Sequence, residues 1–262
     1  ESPRFFLQTD TSDLIHNKNL ITNEERRVLL SEKGIDYLVE CDFDDEMRHM
    51  EPEEFIKMLV HIFHMKYISC TESFHFGYQG RGDILLLQEM AKQYDFTVHI
   101  TSPVSWNHSL VSSSRIRKEL SLGHITTVNQ LLGYEYFIHN KIVHGMHIGS
   151  SKLSVPTINM LPPNNKLLPP NGVYVTKIRW NHVDYFGVTN IGYKPTVVRE
   201  DKKLSVETYI FDFSENIYEE YADVFFLNFI RQEQKFDSLD SLKEQIMKDQ
   251  KIARKFIFSY KN

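Results

Sequence analysis

The sequence predicts an α/β first half with a doubly wound parallel sheet and an all-β second half that is closed by a helix. Helix-like and strand-like segments alternate up to about Thr101, a pattern that favours parallel strands joined by helical crossovers. Short strand-like segments without helices between them follow from Val143 to Phe213, which is typical of an antiparallel sheet or small barrel. The length of 262 residues is sufficient for two domains.

Composition and charge exclude several classes of protein. Hydrophobic residues make up 41% and charged residues 25% of the chain, which is a globular and not a disordered composition. The net charge of −5, from 30 basic and 35 acidic residues, disfavours a nucleic-acid partner. No apolar run reaches the roughly 18 residues of a membrane span, so we expect no membrane partner. The two cysteines, Cys41 and Cys70, allow no disulfide framework and indicate a reducing, cytoplasmic location.

The first half contains three predicted helices and three predicted strands. Thr22 and Glu25 have the spacing of a capping box, which predicts a helix that runs from there to Gly34. Pro52 suits the first turn of a second helix, and Asp83 begins a third. The strand-like segments around these helices are Tyr37–Val39, Lys66–Cys70 and Phe96–Ile100.

The second half begins after a helical passage. Ser112–Ser114 can cap a helix that ends near Gly123, and residues 124–137 predict one more short helix between two domains. We therefore expect one domain at residues 1–125 and another at residues 126–262. An amphipathic helix is predicted from Leu239, after strand-like segments at Val143, Val173–Val175, Phe186–Val188 and Leu204–Phe213.

The segment Leu204–Phe213 is the most informative about chemistry. Strand alternation puts Glu207 on one face with the aromatic residues Tyr209 and Phe211, while the aliphatic residues face the core. A carboxylate beside aromatic rings loses part of its solvation, which suits it to accept a proton as a general base. The alternative is an ordinary solvated glutamate on a strand face.

Two further segments have features of a phosphate and metal site. Gly145 and Gly149 belong to a turn whose backbone N–H groups suit phosphate oxygens, although a plain hairpin is the alternative. Thr157 and Asn159 stand two residues apart in an extended segment, so their side chains point the same way. Their oxygens are hard donors suited to Mg²⁺, although both residue types also make local hydrogen bonds in turns.

The predicted helix that begins near Ser112 is a candidate anion site. Ser113 and Ser114 supply hydroxyl groups at its N-terminus, and Arg115 and Arg117 supply cations; an exposed basic helix face is the alternative. Two histidine pairs have a spacing of three residues, His61 with His64 and His144 with His147. Neither pair has a cysteine near it in the sequence to complete a set of ligands, which disfavours a zinc site.

The order of these motifs resembles that of one family. The motifs are, along the chain, Ser112–Arg117, the glycines at 145 and 149, Pro156–Asn159, Gly172–Tyr174, Gly187–Gly192, Val206–Glu207 and Phe229–Phe236. Their order and spacing closely resemble the bacterial bifunctional riboflavin kinase/FAD synthetase family over nearly the whole chain. The resemblance implies a Rossmann-like nucleotidyltransferase domain, followed by a small antiparallel riboflavin-kinase-type β-barrel with a C-terminal helix.

For the second domain, the resemblance implies phosphorylation of riboflavin to FMN with ATP and Mg²⁺. It makes Glu207 the catalytic base, and Thr157 and Asn159 the metal and nucleotide ligands. The other residues that it implies are the phosphate-contacting Gly145 and Gly149 and the flavin-pocket residue Arg231.

For the first domain, the resemblance implies adenylylation of FMN to FAD, with nucleotide bound by Ser113, Ser114, Arg115 and Arg117. The family element Gly-x-Phe-Asp-x-x-His-x-Gly-His, whose histidines handle ATP phosphates, does not occur in this sequence. We expect that element and the first strand to precede Glu1, and we expect adenylyl transfer to depend on them.

Departures from the family pattern leave a second function open. Thr71 replaces a usual glycine in the first domain, and Ile148, Ser154 and Ile158 replace usual residues in the second. Because the implied base and metal ligands of the second domain are retained, we expect kinase activity with weakened ATP binding. The alternative is a flavin- or nucleotide-binding relative that does not transfer phosphate.

Overall fold

The structure, a computed structural model, describes residues 18–144, 157–194 and 203–261. The chain forms two compact units. Among the described residues, the first unit comprises Tyr37–Val111, whereas the second combines Lys18–Asp36 with the described part of Ser112–Asn262. The second unit therefore contains an N-terminal segment of the chain. No helix in the described ranges is long and apolar enough to cross a bilayer.

The first unit contains a parallel pair of strands joined by a helical crossover. Strand β1 pairs with β2 in parallel, with Tyr67 opposite Thr97. A core of Ile56, Phe76 and Leu87 lies between the sheet and the helices. The elements are α2 (Asp45–His49), α3 (Pro52–His61), β1 (Tyr67–Thr71), a 3₁₀ turn (Tyr78–Gly80), α4 (Ile84–Tyr94), β2 (Thr97–Thr101), β3 (Ser105–Trp106) and β4 (Ser109–Leu110).

Local signals placed the two longer helices and the two parallel strands of this unit, whereas α2, the 3₁₀ turn, β3 and β4 were not predicted. The Asp83 side chain accepts a hydrogen bond from Leu86 N at 3.0 Å and begins α4, and Pro52 occupies the first turn of α3. The predicted strand at Tyr37–Val39 is wrong, since these residues are irregular and exposed. A strand requires a hydrogen-bonded neighbour, and no described strand pairs with this segment.

The second unit is built around a closed antiparallel barrel, which confirms the predicted small barrel and has six strands. Strand β10 pairs with both β5 and β7, which closes the order β10-β5-β6-β9-β8-β7. The strands are β5 (Phe137–Val143), β6 (Thr157–Met160), β7 (Gly172–Trp180), β8 (Val183–Lys194), β9 (Lys203–Ile210) and β10 (Tyr221–Gln232). The helices are α1 (Asn23–Glu32), α5 (Ser113–Ser121), α6 (Ile125–Leu132) and α7 (Leu239–Lys261).

Strand β10 was not recognised from the sequence. Its buried stretch from Ala222 to Leu227 is almost continuously apolar, and such a run does not distinguish a strand from a buried helix. Two register shifts, between Phe226 and Asn228 and between Phe229 and Arg231, interrupt its pairing with β7. The shifted register places Arg231 opposite Val173 of β7.

A row of buried threonine hydroxyl groups identifies the inner face of the barrel. The Oγ1 atoms of Thr176, Thr189 and Thr208 are joined by two hydrogen bonds of 2.8 Å, and each residue is at most 1% exposed. Neighbouring residues along a strand face opposite sides. Glu207, next to Thr208, therefore faces outward from the barrel.

A buried ion pair attaches α1 to the barrel. Lys166 Nζ lies 2.7 Å from Glu25 Oε2 and 2.9 Å from the carbonyl oxygen of Leu20. The same carboxylate accepts a hydrogen bond from Thr22 N at 2.8 Å, which completes the predicted capping box. Lys166 Nζ also lies 4.2 Å from the centroid of the Tyr136 ring. Burial lowers the pKa of Lys166 to about 8, against the opposing influence of Glu25.

We predict that Lys166→Met lowers the free energy of unfolding of the barrel unit by about 3–5 kcal/mol, because it leaves the buried Glu25 carboxylate without its cation. The double variant Glu25→Gln/Lys166→Met is expected to recover most of this loss, since glutamine retains an acceptor for Thr22 N. Urea unfolding followed by Trp180 fluorescence in a Trp106→Phe background measures both effects. A single variant as stable as the parent would contradict the assignment.

Candidate active site

The barrel register aligns five side chains in one row across neighbouring strands. Asn159 of β6 and Asn190 of β8 are both direct partners of Glu207 on β9. Val173 of β7 is the partner of Asn190, and Arg231 of β10 is the partner of Val173. Directly opposite residues in a sheet face the same side, about 5 Å apart. We call these five residues the site row.

A cavity of about 400 Å³ lies over the site row, between the outer face of the barrel and helix α7. Four of the five row residues line it, together with Thr157 and Tyr209 from the same wall. The opposite side is formed by residues that follow β10 and by one face of α7: Glu233, Gln234, Phe236, Leu242, Ile246, Asp249 and Gln250. Its mixed apolar and polar lining is typical of a small-molecule site.

The carboxylate of Glu207 is held at one side of this cavity. Thr157 Oγ1 donates a hydrogen bond of 2.7 Å to Glu207 Oε1. Tyr209 lines the cavity beside them, and its ring meets the ring of Phe211 edge-on at 5.6 Å. The predicted aromatic face beside Glu207 is therefore present. The strand itself ends at Ile210, and the Phe211 side chain packs in a buried cluster with Ala253 and Ile257.

Thr157 and Asn159 lie together, as the spacing predicted. Both are on β6, and Asn159 is only 4% exposed at its position opposite Glu207. The Thr157 hydroxyl donates its hydrogen bond to Glu207, so the lone pairs of its oxygen point elsewhere and can bind a cation. Tyr218 Oη donates to the Thr157 carbonyl oxygen at 3.3 Å and so supports the start of this strand.

These oxygens fit Mg²⁺ that arrives with a nucleotide. Mg²⁺ prefers hydroxyl, amide and carboxylate oxygens and is usually held by one or two protein ligands together with substrate phosphates. Thr157 carries one such oxygen beside Glu207, and Asn159 carries another at the position opposite Glu207 on the neighbouring strand. Within the described ranges, no three His, Cys, Asp or Glu side chains are grouped to hold a metal by themselves.

Arg231 forms part of the cavity wall and is bound to α7. Its Nη2 lies 2.8 Å from Asp249 Oδ2, and its Nε lies 3.1 Å from both carboxylate oxygens. Gln245 Nε2 donates to Asp249 Oδ1 at 2.8 Å, and Asp249 is 3% exposed. The Arg231 guanidinium lies 5.8 Å from the centroid of the Phe236 ring. This ion pair holds the helix side of the cavity to the barrel side.

Of the remaining predicted residues, Ser113, Ser114, Arg115 and Arg117 are not among the residues that line this cavity. Gly145 and Gly149 lie outside the described residues. Ser112 caps α5 by accepting a hydrogen bond from Arg115 N at 3.3 Å, and Ser113 and Ser114 are exposed in its first turn. Arg117 is 7% exposed, and its Nη1 donates to the carbonyl oxygen of Lys18 at 2.5 Å.

Sequence reasoning missed several residues of the cavity. Asn190 and Glu233 belong to motifs that were noted, but neither motif specifies which side chains face a common cavity. Register supplies that information, because Asn190 is the direct partner of Glu207. Asp249 is buried on α7 together with Ala253 and Ile257. The available signal was an acidic residue on the apolar face of a predicted amphipathic helix.

Comparison with known families matches both parts of the chain. The riboflavin kinase family matches residues 132–257, and the FAD synthetase family matches residues 1–115. The first match contains all six barrel strands and most of α7, and therefore the whole cavity lining from Thr157 to Gln250.

Individual relatives agree with these matches. The bifunctional riboflavin kinase/FMN adenylyltransferase of Buchnera aphidicola subsp. Acyrthosiphon pisum is 34% identical over 235 residues, which cover 89% of this chain and 74% of the relative. The enzyme of the same name from Buchnera aphidicola subsp. Schizaphis graminum is 35% identical over 251 residues, which cover 93% of this chain and 80% of the relative. A solved Streptococcus pneumoniae chain described as a macrolide-efflux protein is 27% identical with a TM-score of 0.82, covering 97% of this chain and 81% of that one. The resemblance seen in the motifs is confirmed: the chain belongs to the bifunctional riboflavin kinase/FMN adenylyltransferase family, whose members are enzymes of flavin cofactor biosynthesis.

Proposed function

We propose that the barrel unit phosphorylates riboflavin at its ribityl 5′-hydroxyl, with Mg·ATP as the second substrate and FMN and ADP as products. The observation that carries this proposal is the Glu207 carboxylate, which is hydrogen-bonded to Thr157 and faces a cavity large enough for a small molecule. We assign this activity to residues 126–262, the predicted second domain, and expect it to take place in the cytoplasm.

Glu207 acts as the general base in this proposal. The 5′-hydroxyl oxygen attacks the γ-phosphorus, its proton passes to Glu207, and the bond from the γ-phosphorus to the bridging oxygen breaks to release ADP. A carboxylate offers about four acceptor positions, so the hydrogen bond from Thr157 leaves room for the substrate hydroxyl. Phosphoryl transfer requires mainly positioning and neutralisation of charge, which a base held by a neighbouring strand supplies.

Thr157 and Asn159 are the residues that we assign to Mg·ATP. Bound metal would neutralise phosphate charge at the edge of the cavity where the carboxylate lies. The glycine turn at Gly145 and Gly149 precedes this strand in the chain, and we retain it as the proposed phosphate contact.

The flavin ring is assigned to the apolar part of the same cavity. Val173 and Val188 on the barrel side face Phe236, Leu242 and Ile246 on the other. Flat aromatic ligands are stabilised by burial between such side chains, at roughly 25 cal/mol for each Å² removed from water. Arg231 shapes this end of the cavity through its ion pair with Asp249.

The second proposed activity, adenylylation of FMN to FAD, is assigned to the nucleotidyltransferase part of the family. We propose that it requires the histidine element that this sequence does not contain, with Ser113, Ser114, Arg115 and Arg117 as nucleotide-binding residues. FAD made from FMN and ATP by this chain alone would contradict that requirement.

The competing function is binding without transfer, which the replacements at Ile148 and Ser154 favour. Incubation with riboflavin, ATP and Mg²⁺, followed by chromatography of the flavins, separates the two. FMN that forms with Mg²⁺ and fails to form with a chelator supports the kinase, whereas bound but unchanged riboflavin supports the alternative.

Glu207→Gln is predicted to lower the turnover number for FMN formation by about 10²- to 10⁴-fold, because glutamine cannot accept the proton. Riboflavin affinity, measured by quenching of flavin fluorescence, is expected to stay within about threefold of the parent. Glu215→Gln is the matched control, since Glu215 is exposed and lies outside the cavity lining. A Glu207→Gln variant that turns over at the parental rate would remove Glu207 from this role.

Asp249→Asn is predicted to raise the KM for riboflavin by about tenfold, with a smaller change in turnover number. The amide cannot form the paired charge interaction with Arg231, so the α7 side of the cavity loses its attachment to β10. Arg231→Lys is expected to have a similar effect, because lysine retains the charge without the planar fork. Steady-state kinetics measure both, and an unchanged KM in both variants would show that the ion pair does not shape the flavin site.

A further inference from the structure

Asn190 occupies a position in the site row to which no role has been assigned so far. It is the direct cross-strand partner of Glu207 on one side and of Val173 on the other, and it lines the cavity. Along the row, the wall of the cavity is therefore polar at Glu207 and Asn190 and becomes apolar at Val173. A ligand lying along this wall meets a carboxylate, an amide and then an aliphatic side chain.

A neighbouring network orients the Asn190 amide. Asn190 Nδ2 donates to Glu233 Oε1 at 3.5 Å, and the other oxygen of that carboxylate accepts from Asn171 Nδ2 at 3.2 Å. Gly192, two residues further on the same face of β8, makes room for this carboxylate. A Cβ atom at Gly192 would lie 1.9 Å from Glu233 Oε1. Glycine at position 192 therefore allows the Glu233 carboxylate to lie against β8, next to the Asn190 amide.

We propose that Asn190 binds the secondary hydroxyl groups of the ribityl chain next to the reacting 5′-hydroxyl. This inference rests on the proposed kinase function, since it takes the 5′-hydroxyl to lie at Glu207. The side chains of Asn190 and Glu207 leave their strands about 5 Å apart, so one short polyol chain can contact both of them. Asn190 is thereby a substrate-binding residue that selects a hydroxylated side chain on the flavin.

The chemistry of an amide suits this task. An asparagine side chain has two N–H donors and one acceptor oxygen, whereas a hydroxyl group both donates and accepts. The long hydrogen bond to Glu233 directs one N–H group of the amide towards that carboxylate. The second N–H and the oxygen then present a donor and an acceptor to adjacent hydroxyl groups. The aliphatic Val173, next in the row, marks where the polar chain gives way to the ring.

A purely structural role for Asn190, as a support for Glu233, makes a different prediction. A structural role would affect every flavin that enters the cavity, whereas hydroxyl recognition affects only flavins that carry the secondary hydroxyl groups. The 7,8-dimethyl-10-(5-hydroxypentyl) flavin separates the two, because it retains the terminal hydroxyl and the ring and lacks the 2′-, 3′- and 4′-hydroxyls.

The test compares Asn190→Ala and Asn190→Ser with the parent on riboflavin and on the hydroxypentyl flavin. For Asn190→Ala we expect kcat/KM to fall about tenfold or more with riboflavin and less than about threefold with the analogue. Asn190→Ser, which keeps a short hydrogen-bonding group, is expected to recover part of the loss on riboflavin alone. Asn164→Ala is the matched control, since Asn164 is an exposed loop asparagine outside the cavity lining.

Dissociation constants for the two flavins, measured by fluorescence quenching without ATP, keep this test separate from the kinase assignment. A riboflavin-specific loss of affinity in Asn190→Ala supports hydroxyl recognition even if Glu207→Gln were to leave turnover unchanged. Equal losses with both flavins in the alanine and serine variants, or no loss with either flavin, would overturn the proposal.

Discussion

The closed register of the barrel is the constraint on which the site depends. Because the chain of strand pairs returns from β7 through β10 to β5, no strand can slip without breaking pairing elsewhere. A slip of one residue would exchange the two faces of a strand and turn Glu207 into the threonine-lined interior. Closure therefore fixes Glu207 beside Thr157, at a distance at which their side chains form a hydrogen bond.

Two ion pairs whose carboxylates are buried attach helices to this barrel, and they act at different places. Arg231 and Asp249 join β10 to α7, so one wall of the cavity is fixed to the other. Lys166 and Glu25 join the β6–β7 connection to α1, which brings an N-terminal segment into the barrel unit. Buried pairs of this kind contribute little net stability against apolar replacements, but they are costly to break on one side only. Their effect is to specify which elements pack together.

Local properties of the sequence predicted most of the fold and the strand face on which Glu207 lies. Capping residues located the starts of helices at Thr22, Asp83 and Ser112, and strand alternation put Glu207 on the aromatic face. Non-local properties were not predictable from a single sequence. The cross-strand pairing of Asn190 with Glu207 depends on the register of the barrel. The ion pair between Lys166 and Glu25 joins residues that are 141 positions apart in the chain. Strand β10 was missed because its apolar run has no period, and Tyr37–Val39 has a strand-like composition without a pairing partner in the described chain.

The central claim is that the Glu207 carboxylate lies within hydrogen-bonding distance of the hydroxyl that receives the phosphoryl group. A crystal structure with riboflavin, Mg²⁺ and a non-hydrolysable ATP analogue measures that distance directly. We expect the ribityl 5′-oxygen at about 2.6–3.2 Å from a Glu207 carboxylate oxygen, with the analogue's phosphates near Thr157 and Asn159. A riboflavin molecule bound with its 5′-oxygen directed away from Glu207, or bound outside the cavity under α7, would contradict the account.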